Sequence, residues 1–210
     1  TGMPVRPNIK ACSLTKKEAV ASLSSKHSVS FSETAPTLLV FGGSQGAEGI
    51  NKCVPEALKL QSDKVFQVIH LSGAGNSSVL EKTYGDAPFE WLIIENTSEM
   101  ETMYSAADLV VCRSGGSTIA ELCIFSKFAL LVPYPHATDG HQDDNAAYYC
   151  SSGAGIMIRE KELTVTKLGS TLASWLEAPA AYAEKGLLSR QIAVPDASSR
   201  ILSLIEKLSV

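Results

Sequence analysis

The sequence predicts an α/β protein, a doubly wound parallel sheet of about six strands with helices on both faces. One observation is the regular alternation, from Thr37 onward, of short apolar runs with helical segments. A second is that glycine-rich loops, GGSQG and SGG, follow two of the apolar runs directly. Strands of such a sheet carry their ligands at their carboxyl ends, so we expect a binding site where these loops meet.

Apolar runs and breaker residues place the elements in order. We expect strands at Thr37–Phe41, Val65–Leu71, Phe89–Ile94, Leu109–Cys112, Phe128–Val132 and Gly155–Ile158. Helices are predicted between them near 47–60, 78–84, 98–106, 117–126 and 142–151, and after them at 165–176, 180–191 and 197–208. Ser98 and Glu101 have the spacing of a capping box that would start the helix ending at Ala106. A short helix from Lys16 to Leu23 is expected within a Pro- and Ser-rich segment.

Composition bounds the class of protein. A hydrophobic content of 45% in 210 residues is ample for a buried core. The net charge of -4 gives no bulk attraction to nucleic acid, and we predict no nucleic-acid partner. Five widely spaced cysteines without a C-x-x-C pair indicate free thiols, neither a disulfide framework nor a zinc site. No apolar run approaches the roughly 18 residues that cross a bilayer, so any membrane contact is expected to be peripheral.

The segment LVVCRSGGSTIAE carries the strongest indication of a ligand. It predicts a strand, a tight loop at Gly115 and Gly116, and the start of a helix. Glycines allow close approach of a ligand, and free N–H groups of a first helical turn favour a phosphate. Glu121, one turn into the helix, could accept hydrogen bonds from a ribose diol. The alternative is that Thr118 and Glu121 form a T-x-x-E capping box that needs no ligand.

The loop GGSQG after the first strand is a weaker indication. It lacks the G-x-G-x-x-G spacing of dinucleotide enzymes, and the second strand ends in His70-Leu71 where an acidic residue would bind a ribose. These features argue against a nicotinamide cofactor, and the absence of GKS or GKT excludes a Walker-type P-loop. GGSQG therefore indicates either contact with a phosphate or a plain turn between strand and helix.

The proline-containing loop PYPHATDGHQDDNA is rich in polar groups. Its histidines and aspartates resemble a metal cluster, but no zinc-ligand spacing is present, and we predict no metal and no cofactor. His141, Gln142 and Asn145 instead offer several hydrogen-bonding groups just before a helix. Such groups suit a neutral hydroxylated ligand such as a sugar.

Four segments in order resemble the C-terminal half of the MurG family: TGMPVR at the start, GGSQGA, ADLVVCRSGGSTIAE, and HQDDNA in the proline-containing loop. That family comprises the undecaprenyl-diphospho-muramoylpentapeptide N-acetylglucosaminyltransferases of peptidoglycan synthesis. The resemblance covers nearly the whole chain. It implies the C-terminal, Rossmann-like half of a GT-B glycosyltransferase, which binds the donor.

The resemblance also implies a domain division. Residues 1–35 would be an interdomain linker with a short helix, 36–195 the UDP-sugar-binding domain, and 196–210 a C-terminal helix packing toward an N-terminal domain. Because the chain opens Thr1-Gly2-Met3, which is not an initiator sequence, we expect it to be part of something longer.

Carried over position by position, the resemblance assigns roles to individual residues. Arg6 and Ser44 would contact the diphosphate region, the segment from Gly116 to Glu121 would hold diphosphate and ribose, and Thr97 would lie at the uracil. Gln142, together with His141, would contact the sugar hydroxyls. The expected substrate-binding residues are Arg6, Gly43, Ser44, Gln45, Thr97, Gly115, Gly116, Ser117, Thr118, Glu121, His141, Gln142 and Asn145.

The implied reaction is an inverting transfer of N-acetylglucosamine from UDP-N-acetylglucosamine to lipid I, giving lipid II and UDP. The enzyme would be a hexosyltransferase, cytoplasmic and peripheral at the inner face of the plasma membrane. The catalytic base is expected in the N-terminal half, so the chain alone would be inactive and no base is assigned here. Two alternatives remain: a non-catalytic donor-binding subunit of a split lipid-linked N-acetylglucosaminyltransferase, and a UDP-N-acetylglucosamine 2-epimerase-like enzyme.

Overall fold

The computed structural model describes residues 2–10 and 12–208. In this part of the chain one parallel sheet is formed by β1 (Thr37–Phe41), β2 (Gln67–Leu71), β3 (Glu90–Ile94), β4 (Leu109–Cys112), β5 (Phe128–Leu131) and β6 (Gly155–Met157). The strands lie side by side in the order β3-β2-β1-β4-β5-β6, all parallel. The predicted doubly wound parallel sheet is confirmed, and its order reverses between β1 and β4.

Helices connect and cover the strands. They are α1 (Pro7–Lys10), α2 (Lys16–His27), α3 (Glu48–Lys59), α4 (Ser77–Tyr84), α5 (Met100–Ala106), α6 (Gly116–Phe125), α7 (His141–Ser151), α8 (Val165–Glu177), α9 (Pro179–Leu187) and α10 (Ala197–Leu208). Short 3-10 helices lie at Thr138–Gly140, Glu160–Glu162 and Leu188–Ile192. Along the described chain no helix is long and apolar enough to span a bilayer.

Side chains of β1 alternate between two cores, as a sheet covered on both faces requires. Leu39 and Phe41 point into the core that contains residues of α2, α5, α6 and α7. Leu38 and Val40 point into the other, which contains residues of α3, α4 and α8. Every residue of β1 is buried. The continuous apolar run that predicts a buried strand thus reflects cover on both faces.

The N-terminal segment is more ordered than the sequence predicts. The helix α1 was not predicted, and α2 runs four residues further than the expected end at Leu23. The capping box of α2 is formed by Thr15 and Glu18. Its Ala19, Val20 and Leu23 are buried in the first core, so α2 packs on the sheet domain. Whether this segment acts as a linker between domains stays a prediction.

The predicted capping box of Ser98 and Glu101 is wrong. The residue before α5 is Glu99, which makes no side-chain cap, so the helix begins one residue too late for Ser98 to cap it. Thr97 turns the chain here, because its Oγ1 accepts from the Glu99 amide at 3.0 Å. Glu101 instead accepts a hydrogen bond from Asn8 of α1 at 2.7 Å. A contact with a distant segment therefore replaces the local one.

A buried histidine joins β2 to the helices beside it. In His70, Nδ1 lies 2.9 Å from the Tyr84 hydroxyl and Nε2 lies 3.1 Å from Asn51 Oδ1. Asn51 Nδ2 donates to the Ser72 carbonyl at 2.9 Å, so Asn51 Oδ1 is the acceptor facing the ring. His70 therefore carries its proton on Nε2 and accepts from Tyr84 on Nδ1. Burial lowers the pKa of His70 to about 3, which keeps the imidazole neutral.

This burial predicts a pH dependence of stability. Below pH 6.5, the ordinary pKa of histidine, His70 binds a proton in the unfolded chain but not in the folded chain. The free energy of unfolding is therefore highest above that pH and decreases as the pH falls toward the folded-state pKa of about 3. Between pH 7 and pH 5 the contribution to the unfolding free energy falls by roughly 2 kcal/mol. Urea unfolding of the parent and of His70→Gln at both pH values measures it, and the variant should lack this contribution.

Tyr84→Phe is the matched control for that experiment. It removes the hydroxyl that donates to the ring but keeps the imidazole, so the unfolding free energy drops by about 1 kcal/mol while the pH dependence is retained. Equal pH dependence in the parent and in His70→Gln would show that the histidine does not titrate on unfolding.

Candidate functional site

Three loops meet beyond the carboxyl ends of the central strands. The loop after β1 is 42–47, the loop after β2 is 72–76, and the loop after β4 is 113–115. The first two touch through glycine: a Cβ on Gly73 would lie 2.0 Å from the Gly46 nitrogen, and one on Gly46 would lie 2.3 Å from the Ser72 carbonyl. The Ala74 amide also donates to the Ser44 carbonyl at 3.0 Å. Backbone contact with the neighbouring loop thus fixes GGSQG in place.

Two cavities open between these loops, and both contain Phe41 and Gly43 in their walls. The smaller one, of about 210 Å³, is lined by Phe41, Gly43, Ser44, Leu71, Asn96, Thr97, Met100 and Glu121. The walls of the larger one, of about 600 Å³, include Gly43, Gln45, Arg113, Gly115, Thr118, Tyr134, Gln142 and Glu160. The structure therefore brings eight of the thirteen expected site residues to two adjoining cavities at the point where the strand order reverses.

Glu121 is the buried charged group of the smaller cavity. Its Oε2 accepts a hydrogen bond from the Tyr104 hydroxyl at 3.0 Å, and its Oε1 lies 3.6 Å from Arg6 Nη2. Burial raises the pKa of Glu121, while the Tyr104 hydrogen bond and the charge of Arg6 act in the opposite direction. The carboxylate is thus held at the cavity wall by one buried donor and one half-exposed cation.

The T-x-x-E capping box considered for this segment is not formed. Gly115 is the residue before α6, and the first intrahelical bond runs from the Ile119 amide to the Gly115 carbonyl at 3.0 Å. Thr118 is therefore already inside the first turn, and α6 has no side-chain cap. The amides of Gly116, Ser117 and Thr118 precede that first bond, so they point out of the helix end. This leaves the helix N-terminus open toward the loops.

Arg113 was missed by the sequence analysis. It follows β4 directly and lines the larger cavity, with 11% of its side chain exposed. Its Nη1 donates to the carbonyls of Val132 and Pro133 at 3.1 and 3.0 Å. Glu160 Oε2 lies 2.6 Å from the same nitrogen. Because the two hydrogens of that nitrogen point at the carbonyls, the contact with Glu160 is an ion pair without a directed hydrogen bond. Its position directly after a buried strand, at the carboxyl end of the sheet, is the feature of the sequence that could have indicated it.

The proline-containing loop is tied to the loop after β4. Gln142 Oε1 accepts from the Tyr134 amide at 3.0 Å, and the Gln142 carbonyl accepts from Ser114 Oγ at 2.7 Å. Asn145 Nδ2 donates to the Ser114 carbonyl at 3.0 Å. His141 is exposed, with Nδ1 2.6 Å from the Thr138 carbonyl. Of the three residues expected at a sugar, only Gln142 faces the larger cavity.

The remaining five expected residues line neither of these two cavities. Arg6 and Ser117 are exposed, and Gly116 and Asn145 line a separate, largely apolar groove of about 400 Å³ on the other side of α6. Acidic and histidine side chains of the proline-containing loop do not converge: Asp143 pairs with Arg159 at 2.8 Å. Within residues 2–10 and 12–208 no group of three or more such side chains could hold a metal ion.

Comparison with known proteins decides the family. Residues 37–201 match the model described as glycosyltransferase family 28 C-terminal domain. The chain belongs to this family. The predicted resemblance, which rested on four ordered motifs, is thereby confirmed.

Two curated relatives carry the name UDP-N-acetylglucosamine–N-acetylmuramyl-(pentapeptide) pyrophosphoryl-undecaprenol N-acetylglucosamine transferase. The protein from Myxococcus xanthus is 43% identical over 138 residues, which is 65% of this chain and 36% of that protein. The protein from Desulfotalea psychrophila is 33% identical over 211 residues, 99% of this chain and 54% of that protein. The chain thus spans about a third to a half of the length of these relatives.

A solved structure agrees with the sequence relatives. The crystal structure of Acinetobacter baumannii MurG superposes with a TM-score of 0.80 at 27% identity, over 95% of this chain and 55% of that one. The expected fold, that of the C-terminal half of a GT-B transferase, is confirmed by this match and by the strand order.

The glycine contact between the loops generates a paired prediction. Gly73 and Gly75 have similar positive φ values, +78° and +73°, but a Cβ meets backbone only at Gly73. Gly75→Ala should lower the unfolding free energy by about 1 kcal/mol, from backbone strain alone. Gly73→Ala adds a clash with Gly46 and should cost roughly 3 kcal/mol. Urea unfolding of both variants measures the difference, and equal losses would contradict the proposed contact.

Proposed function

We propose that this chain is the nucleotide-sugar-binding part of an inverting N-acetylglucosaminyltransferase. Its donor would be UDP-N-acetylglucosamine, and the acceptor of the whole enzyme would be lipid I, as the name of its relatives states for them. The observation that carries the proposal is the buried carboxylate of Glu121 in a cavity beside an uncapped helix N-terminus. Family membership supplies the chemical class of the ligand.

The smaller cavity suits the nucleoside. A ribose placed there meets the Glu121 carboxylate, which accepts hydrogen bonds from two vicinal hydroxyls. Thr97, in the loop before α5, and Ser44, in the loop after β1, line the same cavity. In this proposal Thr97 borders the uracil and Ser44 contacts the phosphates. The apolar members of the wall, Phe41 and Leu71, offer a surface to the base.

The diphosphate would lie at the start of α6, where the two cavities adjoin. Amides of Gly116, Ser117 and Thr118 point outward there, and Gly43 and Gly115 place no side chain in the way. These groups attract negative charge without a metal ion.

Two arginines lie at this end of the sheet. Arg113 is part of the larger cavity wall, and Arg6 lies beside Glu121. Glu160 offsets part of the charge of Arg113, and Glu121 offsets part of that of Arg6. The remaining positive charge would act near the position proposed for the diphosphate, where negative charge develops as the leaving group departs.

The sugar would occupy the larger cavity. Gln45 and Gln142 line it, and Gln142 keeps its Nε2 for a sugar hydroxyl because its Oε1 accepts from Tyr134. His141 and Asn145 stand at the start of the same helix but do not line this cavity. Gln45 and Gln142 are therefore our proposal for recognition of N-acetylglucosamine.

In the proposed reaction the acceptor hydroxyl attacks the anomeric carbon of the sugar. The bond from that carbon to the β-phosphate oxygen breaks, and UDP leaves with the electron pair. The residues of this chain would stabilise the leaving diphosphate and hold the nucleotide, while the base that takes the acceptor proton would lie outside it. Acceptor binding and peripheral attachment to the inner face of the membrane belong to the whole enzyme in this proposal.

The two alternatives receive less support. A 2-epimerase-like enzyme would share the donor fold, but the relatives at 33–43% identity are named as transferases. A non-catalytic subunit of a split enzyme would use the same nucleotide site. We therefore favour the transferase over both alternatives.

Replacement of Glu121 tests the nucleotide site. Glu121→Gln keeps the size of the side chain but removes the charge and turns one acceptor into a donor, so UDP affinity should fall roughly tenfold or more. Isothermal titration calorimetry of the 210-residue chain with UDP measures the change. Glu56→Gln, an exposed residue of α3 that pairs with Lys59, is the control and should leave affinity unchanged.

No UDP affinity in the folded parent chain would refute the proposed function. Unchanged affinity in Glu121→Gln would remove Glu121 from the site and leave the proposed position of the ribose without its main structural support, while the family assignment would stand.

Transferase activity gives a separate prediction. Because no base is assigned in this chain, we expect it to bind UDP-N-acetylglucosamine without transferring the sugar. Labelled UDP-N-acetylglucosamine incubated with the chain and a soluble lipid I analogue measures transfer. Multiple turnovers by the chain alone would place a base within it.

A further inference from the structure

Tyr104 is rigidly packed in the core beneath the smaller cavity. It lies on α5 and is fully buried. Its ring stacks on Phe125, with centroids 5.0 Å apart and planes at 20°, and meets Phe41 edge-on at 6.0 Å and 85°. Because aromatic rings pack it from two sides, the direction of the Tyr104 hydroxyl is fixed.

That hydroxyl is directed at one oxygen of Glu121. It donates to Oε2 at 3.0 Å, while Oε1 lies 3.6 Å from Arg6, beyond a direct hydrogen bond. A glutamate side chain has three rotatable bonds, and a rigid donor on one oxygen removes much of that freedom. The other oxygen therefore stays available at the cavity wall with its orientation set.

From this geometry we propose that Tyr104 is a positioning residue for the nucleotide: it holds the Glu121 carboxylate in the orientation that accepts from the ribose hydroxyls. The inference rests on the proposed function, because it needs a ribose at Glu121. Tyr104 itself contacts no ligand in this proposal. Its contribution is that the carboxylate is already aligned when the nucleotide arrives, so less conformational freedom is lost on binding.

A purely structural role predicts a different outcome. If the hydrogen bond only satisfied two buried polar groups, its loss would lower stability and would leave selectivity among nucleotides unchanged. A positioning role makes the loss depend on the ribose hydroxyls. The ratio of affinities for UDP and 2′-deoxy-UDP separates the two roles, because these ligands differ only in the 2′-hydroxyl.

Tyr104→Phe is the test, with both nucleotides titrated into the chain by calorimetry. We expect the parent to prefer UDP over 2′-deoxy-UDP by roughly tenfold, and the variant to retain a preference of roughly two- to threefold. In the Glu121→Gln background, Tyr104→Phe should change the ratio no further, since the two residues act through one contact.

Tyr149→Phe is the matched control. Tyr149 is equally buried in the same core, and its hydroxyl donates to the Lys127 carbonyl, away from the cavity. Loss of this hydroxyl should lower stability comparably and keep the full preference for UDP. If Tyr104→Phe does not fold, Phe125→Leu removes the stacked ring but keeps the hydroxyl, and it should reduce the preference partially.

The pH dependence of UDP affinity is a second readout. Glu121 faces Tyr104 and Glu101 on α5, Arg6 on the N-terminal segment, and Cys112 on β4. Tyr104 lowers the pKa of Glu121 against the effect of burial, so its removal lets that pKa rise further. As pH is lowered, UDP affinity should begin to fall at a higher pH in Tyr104→Phe than in the parent.

The outcomes are distinct. A parent that binds UDP with a clear preference, and a folded Tyr104→Phe variant with the same preference and pH profile, overturns the positioning role alone. A parent that does not bind UDP overturns this inference together with the proposed function. A reduced preference in Tyr104→Phe but not in Tyr149→Phe supports the proposal.

Discussion

The site depends on one constraint of parallel sheets, the reversal of strand order between β1 and β4. Connections between parallel strands are right-handed, so the chain winds one way on the β2 side and the other way on the β4 side. The loops after β1 and β4 are therefore drawn to opposite faces, and a crevice opens between them. Glycines line that crevice on both sides, which allows backbone amides to form its walls.

A buried carboxylate at this crevice needs compensation. Taking the Glu121 charge out of water is unfavourable, and Tyr104 with Arg6 offsets only part of that cost, as the raised pKa indicates. A ligand with two hydroxyl donors would complete the solvation that the protein leaves incomplete. In the ligand-free protein, part of the desolvation cost of the Glu121 carboxylate is therefore not offset, and it lies at the position where the nucleotide is proposed to bind.

The sequence predicts the sheet because its signals are local. Runs such as TLLVF and LVVC are short, apolar and bounded by glycine, so strands and their loops follow from neighbouring residues. Ends of helices were predicted less well. Ser98 and Thr118 both have the spacing of a helix cap, yet neither caps its helix. The chain turns instead at Thr97 and at Gly115. The acidic partners of the two motifs, Glu101 and Glu121, bond to distant residues. A capping motif in the sequence indicates that a cap can form, and tertiary contacts determine whether the helix begins there.

In the candidate site, too, local features could be predicted from the sequence and long-range contacts could not. Gly43, Gly115 and Glu121 follow from motif and strand position, whereas the pairing of Tyr104 with Glu121 joins two helices and has no signature in sequence spacing. Arg113 directly follows β4 in the sequence, but its carbonyl and carboxylate partners lie 19 or more residues further along the chain.

A crystal structure of the chain with bound UDP would show where the nucleotide lies. We expect a ribose hydroxyl within about 3.2 Å of a Glu121 carboxylate oxygen, with the diphosphate at the start of α6. A nucleotide seated elsewhere, such as the apolar groove between the N-terminal segment and α6, would contradict it.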